Sequence, residues 1–323
     1  MSTSRRRLLV LSAGLLAAAA LPGAAARAAE RLSVVATTGM VADAARQVGG
    51  DLIEVRALMG SGIDPHAYRA TRSDIAAMDR ADLVLWNGLY LEAQLEEFLL
   101  RLSARKPVVA VAEAIDPALL HANADYSGRS DPHVWMDPRL WSRAVEAARD
   151  ALIAARPEHE AAFRANAEAH LARLAALHDY SARVLASVPE ERRVLVTAHD
   201  AFGYFGVAYG FEVEGVQGIS TESEAGLKRI AELVDLLVER RIGAVFVESS
   251  VSDRNMRALV EGAAARGHEV IVGAELFSDA MGPEGTWEGT HLGMIDHNVT
   301  AIARALGGEA PARGMEGRLS AGL

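Results

Sequence analysis

The chain has no cysteine in its 323 residues, and its 33 lysines and arginines are outnumbered by 43 acidic residues. The missing cysteines exclude a disulfide framework and a thiolate metal site. A net charge of −10 argues against a nucleic-acid partner, because phosphates attract basic surfaces. After the first thirty residues, no apolar run is long enough to cross a membrane. A role in transport would therefore need separate membrane partners.

The first 28 residues are typical of an export signal. A basic stretch at residues 4–7 precedes an apolar run, which ends in an A-x-A cleavage pattern at residues 26–28. The paired arginines favour the twin-arginine route, with an ordinary Sec signal as the alternative. Cleavage after Ala28 is expected to leave the mature protein free in a bacterial periplasm. Because no cysteine follows the cleavage point, we predict that the protein is not a lipoprotein.

Short β-branched segments alternate with longer stretches of helical spacing along the mature chain. This alternation predicts an α/β fold with mainly parallel sheets flanked by helices. From Pro157 to Val188 the helical pattern is uninterrupted, which corresponds to a helix of about 46 Å. We expect an N-terminal lobe at residues 29–156, a long rigid linking helix at residues 157–188 and a C-terminal lobe at residues 189–323. A long helix packed inside a single domain is the alternative.

Three of the ten histidines lie in connections between a strand and a helix. His66 and His133 each follow Asp-Pro and precede a helix-start signal, and His199 ends the segment VLVTAH. Such connections at the carboxyl ends of parallel strands face the ligand crevice. By contrast, a solvated face is expected for the histidines on the linking helix, which are His159, His170 and His178.

An acidic residue would complete a metal site with these three histidines, and Glu248 and Asp279 are both candidates because each ends or follows a later strand. Three imidazoles and one carboxylate suit a borderline divalent ion such as zinc. Proline restricts the backbone beside two of the histidines, which lowers the entropy cost of holding a ligand in place. Since imidazoles must be neutral to bind, affinity is expected to fall below about pH 6.5.

The candidate residues stand in longer motifs that resemble the metal-receptor family of bacterial ABC importers. The motifs are SGIDPHAYRATRSDI, DPHVWMDP, TAHDAFGYFGVAYG, QGISTESEAGLKRI, VFVESSVSDRN and ELFSDAMGPEGTWEGTHLGMIDHNV. The resemblance covers nearly the whole mature chain and implies two α/β lobes joined by one long helix. It also implies a metal held between the lobes by His66, His133, His199 and Asp279. Glu248 is then expected to orient one of the imidazoles.

The C-terminal motif most resembles receptors of the treponemal type, which handle zinc and manganese. Because nitrogen-rich sites prefer zinc to manganese, we predict that zinc binds more tightly, with manganese as the alternative physiological ion. The resemblance implies a periplasmic receptor that delivers its ion to a membrane permease driven by a cytoplasmic ATPase. We expect it to act as a monomer and not as an enzyme.

Other classes of function are less well supported by the sequence. A zinc-dependent hydrolase could use the same histidines, with Asp279 or Glu248 as general base, but H-E-x-x-H is absent. A nucleotide-binding protein is disfavoured because G-x-x-x-x-G-K-[ST] is absent and G-x-G-x-x-G does not follow the first strand. A receptor for an organic solute would leave the three histidines unexplained.

Overall fold

The N-terminal lobe is built on a parallel sheet of four strands. In a computed structural model, which describes residues 31–320, these strands are β1 (Leu32–Ala36), β2 (Ile53–Ala57), β3 (Leu83–Trp86) and β4 (Val108–Ala110). They pair in the order β2-β1-β3-β4. The sheet is flanked by the helices α1 (Gly39–Gly49), α2 (Arg72–Arg80), α3 (Glu96–Ser103) and α4 (Pro138–Ala155). The export signal predicted at residues 1–28 lies outside the described residues.

Two helices of this lobe begin where the sequence predicts. Thr71 and Asp74 form a reciprocal capping box before α2, in which each side chain accepts from the other residue's backbone N–H. Asp137 caps α4 through the backbone N–H of Arg139, and Pro138 is the first helical residue. These caps define where the connections that carry His66 and His133 end.

The linking helix, α5 (Glu160–Leu185), follows a short 3₁₀ turn at Pro157–His159. It packs against α1 and α4 of the N-terminal lobe and against two helices of the C-terminal lobe, α6 (Gly203–Tyr209) and α9 (His291–Ala305). This packing corrects one prediction, because His170 is buried with 2% of its surface exposed. The alanine-rich sequence around it does not show which face is covered. The helix is therefore a packed part of the core.

The C-terminal lobe contains two pairs of parallel strands, with α7 (Leu227–Glu239) and α8 (Arg254–Ala265) beside them. The strands are β5 (Val194–His199), β6 (Glu212–Gln217), β7 (Ala244–Val245) and β8 (Ile271–Val272). The backbone N–H of Phe246 donates to the carbonyl of Val196 at 2.9 Å, which joins β7 to β5. Strand β6 was not predicted, because glutamates interrupt the apolar pattern of EVEGVQ.

A continuous apolar core extends from the N-terminal lobe through α5 into the C-terminal lobe. It contains Trp135 and Trp141, Leu177 of the linking helix, and Phe205 and Leu276 from the second lobe. The predicted fold class is confirmed, while the exact lobe boundaries stay a prediction. Within residues 31–320, each helix is too short or too polar to cross a membrane.

Candidate metal centre

The four side chains singled out from the sequence meet in one buried cluster. His66 follows β2, His133 follows β4, His199 ends β5 and Asp279 follows β8, so along the chain each comes at or after the carboxyl end of a parallel strand. One potential ligand atom from each residue lies within 4.8 Å of the other three. Because no residue in the group is more than 4% exposed, the protein itself surrounds the site.

The spacing of the donor atoms matches that required around a small divalent ion. Nε2 of His66 and Nε2 of His133 are 3.3 Å apart. Oδ1 of Asp279 is 3.2 Å from Nε2 of His133, and its Oδ2 is 3.2 Å from Nε2 of His199. Tetrahedral bonds of about 2.05 Å would place neighbouring donor atoms about 3.3 Å apart. The two carboxylate oxygens thus face different imidazoles around a shared centre.

Several of these polar atoms have no hydrogen-bond partner in the part of the chain that the structure describes. They are both carboxylate oxygens of Asp279 and Nε2 of His199. The imidazole nitrogens beside Asp279 are close enough to bond but do not have the alignment of a hydrogen bond. Because unsatisfied buried polar groups are costly, an ion at this centre would satisfy them all. The donor set therefore fits a divalent transition metal.

Two carboxylates outside this group orient the imidazoles. Glu248 accepts from Nδ1 of His199 at 2.5 Å and from the backbone N–H of the same residue at 3.0 Å. Asp131 likewise lies 2.7 Å from Nδ1 of His133 and accepts from its backbone N–H at 3.0 Å. Each contact keeps a proton on Nδ1, so that the Nε2 lone pair faces the centre once the ring is neutral.

Sequence reasoning missed Asp131, although it is the first residue of the second Asp-Pro-His motif. The signal was present, since the first copy has Asp64 at the same position, and Asp64 accepts from the backbone N–H of His66 at 2.8 Å. In both copies the aspartate holds the histidine two residues later by a short local turn. The motif therefore preorganises its histidine through the aspartate as well as the proline.

The backbone that carries Asp279 is held from both sides. Nε1 of Trp135, in the N-terminal lobe, donates to the carbonyl of Ser278 at 2.8 Å. From α9, the amide of Asn298 accepts from the N–H of Phe277 at 2.9 Å and donates to its carbonyl at 2.6 Å. Neither Trp135 nor Asn298 was predicted from the sequence to support the site.

Burial and charge act against each other on the pKa values of this cluster. Burial favours a neutral Asp279, but His199 and His133 outweigh it and hold the pKa of this carboxyl well below its usual range. Burial also disfavours the imidazolium of His133, yet Asp131 and Asp279 raise its pKa to about 9. For His199, Asp279 and Glu248 similarly overcome burial and raise the pKa well above its usual value. Burial prevails at His66 and lowers its pKa to about 3.

Replacing Glu248 with glutamine is expected to weaken zinc binding about 10- to 100-fold. The amide cannot accept at both the backbone N–H and Nδ1 of His199, so its NH₂ group would face Nδ1. The ring proton would then favour Nε2, the atom that faces the centre. Competitive titration against a chelating dye measures the loss.

Glu261→Gln, an exposed site on α8, provides the matched control and should leave affinity unchanged. If the zinc affinity of Glu248→Gln were within 2-fold of that of the original protein, Glu248 would not determine which nitrogen of the His199 ring carries the proton.

The fold and the site define a two-lobed α/β protein with a buried donor set for a divalent transition metal. Residues 34–305 match the family described as ZnuA, "Zinc-uptake complex component A periplasmic". The chain belongs to this family.

Relatives of the chain cover nearly its whole length. It is 48% identical over 277 residues to "Manganese-binding lipoprotein MntA" of Bacillus subtilis, covering 86% of this chain and 90% of MntA. It is 45% identical over 273 residues to "Zinc-binding protein TroA" of Treponema pallidum, covering 84% and 88%. The solved structure of periplasmic zinc-binding TroA from T. pallidum matches with a TM-score of 0.83 and 44% identity, covering 85% of this chain and 99% of TroA.

The comparisons also correct one prediction. MntA is named a lipoprotein, as are SsaB of Streptococcus sanguinis and PsaA of Streptococcus anginosus. The prediction that this protein is not a lipoprotein is therefore wrong. It relied on the absence of cysteine after the inferred cleavage point, and that observation does not show that relatives of this chain are lipoproteins. The periplasmic location agrees with the family description.

Proposed function

We propose that this protein is a periplasmic receptor that binds zinc with high affinity and delivers it to an ABC-type membrane importer, with manganese as the alternative physiological ion. The observation that carries this proposal is the buried cluster of three imidazoles and one carboxylate, whose ligand atoms lie within 4.8 Å of one another. His66, His133, His199 and Asp279 are the proposed ligands. The imported ion is the cargo of the protein.

The site favours a receptor over a zinc-dependent hydrolase. A catalytic zinc keeps a coordination position open for water or substrate, whereas here four protein side chains converge on the centre. Both candidate general bases are also committed elsewhere. Asp279 belongs to the donor set, and Glu248 holds the ring and backbone of His199. The hydrolase alternative therefore has no support.

Three nitrogen donors support zinc as the tighter ligand. Affinity at such sites rises from manganese towards copper and stays high for zinc, so geometry and metal supply decide what is carried in the cell. MntA of B. subtilis and TroA of T. pallidum are named for different ions, manganese and zinc respectively. We propose that zinc binds more tightly in vitro and that manganese competes for the same site.

The proposed transport role implies two protein partners, a permease and an ATPase. A receptor of this family would dock on the permease of an ABC importer, and a separate ATPase would drive release and passage of the ion. We propose that it docks as a monomer, with the lobes divided at residues 29–156 and 189–323 and the helix at residues 157–188 between them. The shared core through α5 supports a rigid connection between the lobes.

Metal titration of the chelator-stripped protein tests this function. We expect one equivalent of zinc per chain, displacement of manganese by zinc, and a monomer by light scattering. Cells that lack the chain should lose high-affinity uptake of radioactive zinc and recover it when the chain is restored. Absence of a tight site, or uptake that does not depend on the chain, would contradict the proposal.

A further inference from the structure

One segment of the C-terminal lobe bridges to the N-terminal lobe beside the metal centre. We call residues 218–226, which connect β6 to α7, the strap. Four hydrogen bonds join it to the N-terminal lobe: Ser220 N to Asp125 Oδ2 at 2.8 Å, Thr221 Oγ1 to Asp64 Oδ2 at 2.5 Å, Gln94 Nε2 to Glu222 Oε1 at 2.7 Å and Tyr126 OH to Glu222 Oε2 at 2.9 Å. The strap therefore links the lobes through polar contacts.

One of these bonds leads directly to a proposed metal ligand. The carboxylate of Asp64 accepts from the backbone N–H of His66 through Oδ1 and from the hydroxyl of Thr221 through Oδ2. A single side chain thus joins the backbone of His66 to the strap. When the strap moves away, Asp64 loses the contact that fixes its second oxygen.

His66 depends on this support more than the other two imidazoles do. The rings of His133 and His199 are each oriented at Nδ1 by a carboxylate, Asp131 and Glu248 respectively. Among residues 31–320, Nδ1 of His66 has no such partner, and the carboxylate nearest in sequence, Asp64, contacts the backbone of this residue instead. Asp64 therefore holds the backbone of His66, while the ring itself lies against the rings of His133 and His199.

The bonds of the strap lie where they can exchange with water. A polar cavity of about 210 Å³ adjoins them, and its lining includes Asp64, Thr221, Gln217 and Glu224. Ile219 is the only apolar residue of the strap that is buried. A segment held mainly by hydrogen bonds that exchange with water opens more readily than a segment packed in the core.

From these contacts we propose that the strap is a latch and that Thr221 and Asp64 are positioning residues which control how long the ion stays bound. Their hydrogen bond holds His66 at the centre while the lobes are joined. When the strap opens, His66 is the first ligand to loosen, which leaves the ion on His133, His199 and Asp279. This inference deepens the proposed receptor function and depends on it.

Zinc dissociation measured by stopped flow with excess chelator tests the latch. Thr221→Val keeps the size of the side chain but removes the hydroxyl, and we expect it to release zinc about 10-fold faster, the effect of losing one hydrogen bond to a charged group. Thr221→Ser, which keeps the hydroxyl, should release zinc within 2-fold of the original rate. Ser223→Ala is the matched control on the same segment and should not change the rate.

A double variant separates coupling through Asp64 from general loosening of the fold. Asp64→Ala, which removes both carboxylate oxygens, should also speed release, and adding Thr221→Val to it should cause no further increase, because the connection is already broken. The metal-free Thr221→Val protein should stay folded, with a melting temperature within a few degrees of that of the original chain. If the two changes increased the rate of zinc release additively, Thr221 would not act through Asp64.

The outcomes of these experiments also show whether the latch or the proposed receptor function has failed. If the original protein does not bind zinc tightly, the receptor function itself fails. If it binds zinc tightly and Thr221→Val releases zinc at the original rate, the latch is wrong while the receptor function stands.

Discussion

Replacing Asp279 with asparagine is expected to weaken zinc binding about 1,000-fold, which corresponds to about 4 kcal/mol. Loss of a supporting carboxylate costs about 10- to 100-fold, and loss of a charged ligand should cost more. Both oxygens of Asp279 face imidazole nitrogens at 3.2 Å, and the site is closed to solvent. An amide would remove the negative charge and direct N–H groups at the ion. Competitive titration at one pH measures the change.

A control is needed because Asp279 also lies in a packed region. Asp253→Asn, whose side chain is 46% exposed, should bind zinc like the original protein. The metal-free Asp279→Asn protein should remain folded, since His133 and His199 keep Asp131 and Glu248 as partners. A folded Asp279→Asn protein that binds zinc within 10-fold of the original affinity would exclude Asp279 as a ligand.

Zinc affinity is expected to rise steeply with pH, about 10- to 100-fold per unit between about pH 6 and 8. The carboxylates around His133 and His199 raise the pKa of both imidazoles, to about 9 for His133. In the metal-free protein these rings therefore hold protons throughout this range, and the ion must displace them. Each proton released contributes about a factor of 10 per pH unit. An unperturbed imidazole would instead give constant affinity above about pH 6.5.

Calorimetric titration in buffers of different ionisation enthalpy counts the protons directly, and we expect one to two per zinc ion. Asp131→Asn provides a matched test, because it removes the charge that most strongly raises the pKa of His133. The dependence of affinity on pH should become shallower in this variant. Affinity that stays constant from pH 6.5 to 8 would show that the two rings are neutral before the ion arrives.

Much of the candidate site could be predicted because its residues are marked locally. His66 and His133 follow Asp-Pro and precede helix caps that the structure contains. His199 ends a strand of the expected type. The carboxyl ends of parallel strands are known to face the crevice, so these side chains could be expected to meet. Their role as ligands remains a proposal, although the structure brings them together with Asp279 as expected.

The structural predictions that failed or were absent concern contacts between distant segments. The sequence around His170 resembles a solvated helix, but its burial depends on α1 and α9, which lie far away in the chain. Strand β6 has a mixed polar pattern and is formed by pairing with β5. The contact between Thr221 and Asp64 joins residues 157 positions apart.

The sequence by itself determined the alternation of strands and helices, the helix caps and the two Asp-Pro-His turns, because each depends on residues within one or two turns of the chain. Only the tertiary structure decided which carboxylate serves each imidazole. From the residues alone, Glu248 and Asp279 were equal candidates for the centre. In the fold, Glu248 lies at Nδ1 of His199 and Asp279 lies at Nε2, on opposite sides of one ring. That choice depends on how β5, β7 and β8 align, a long-range property that local sequence does not contain.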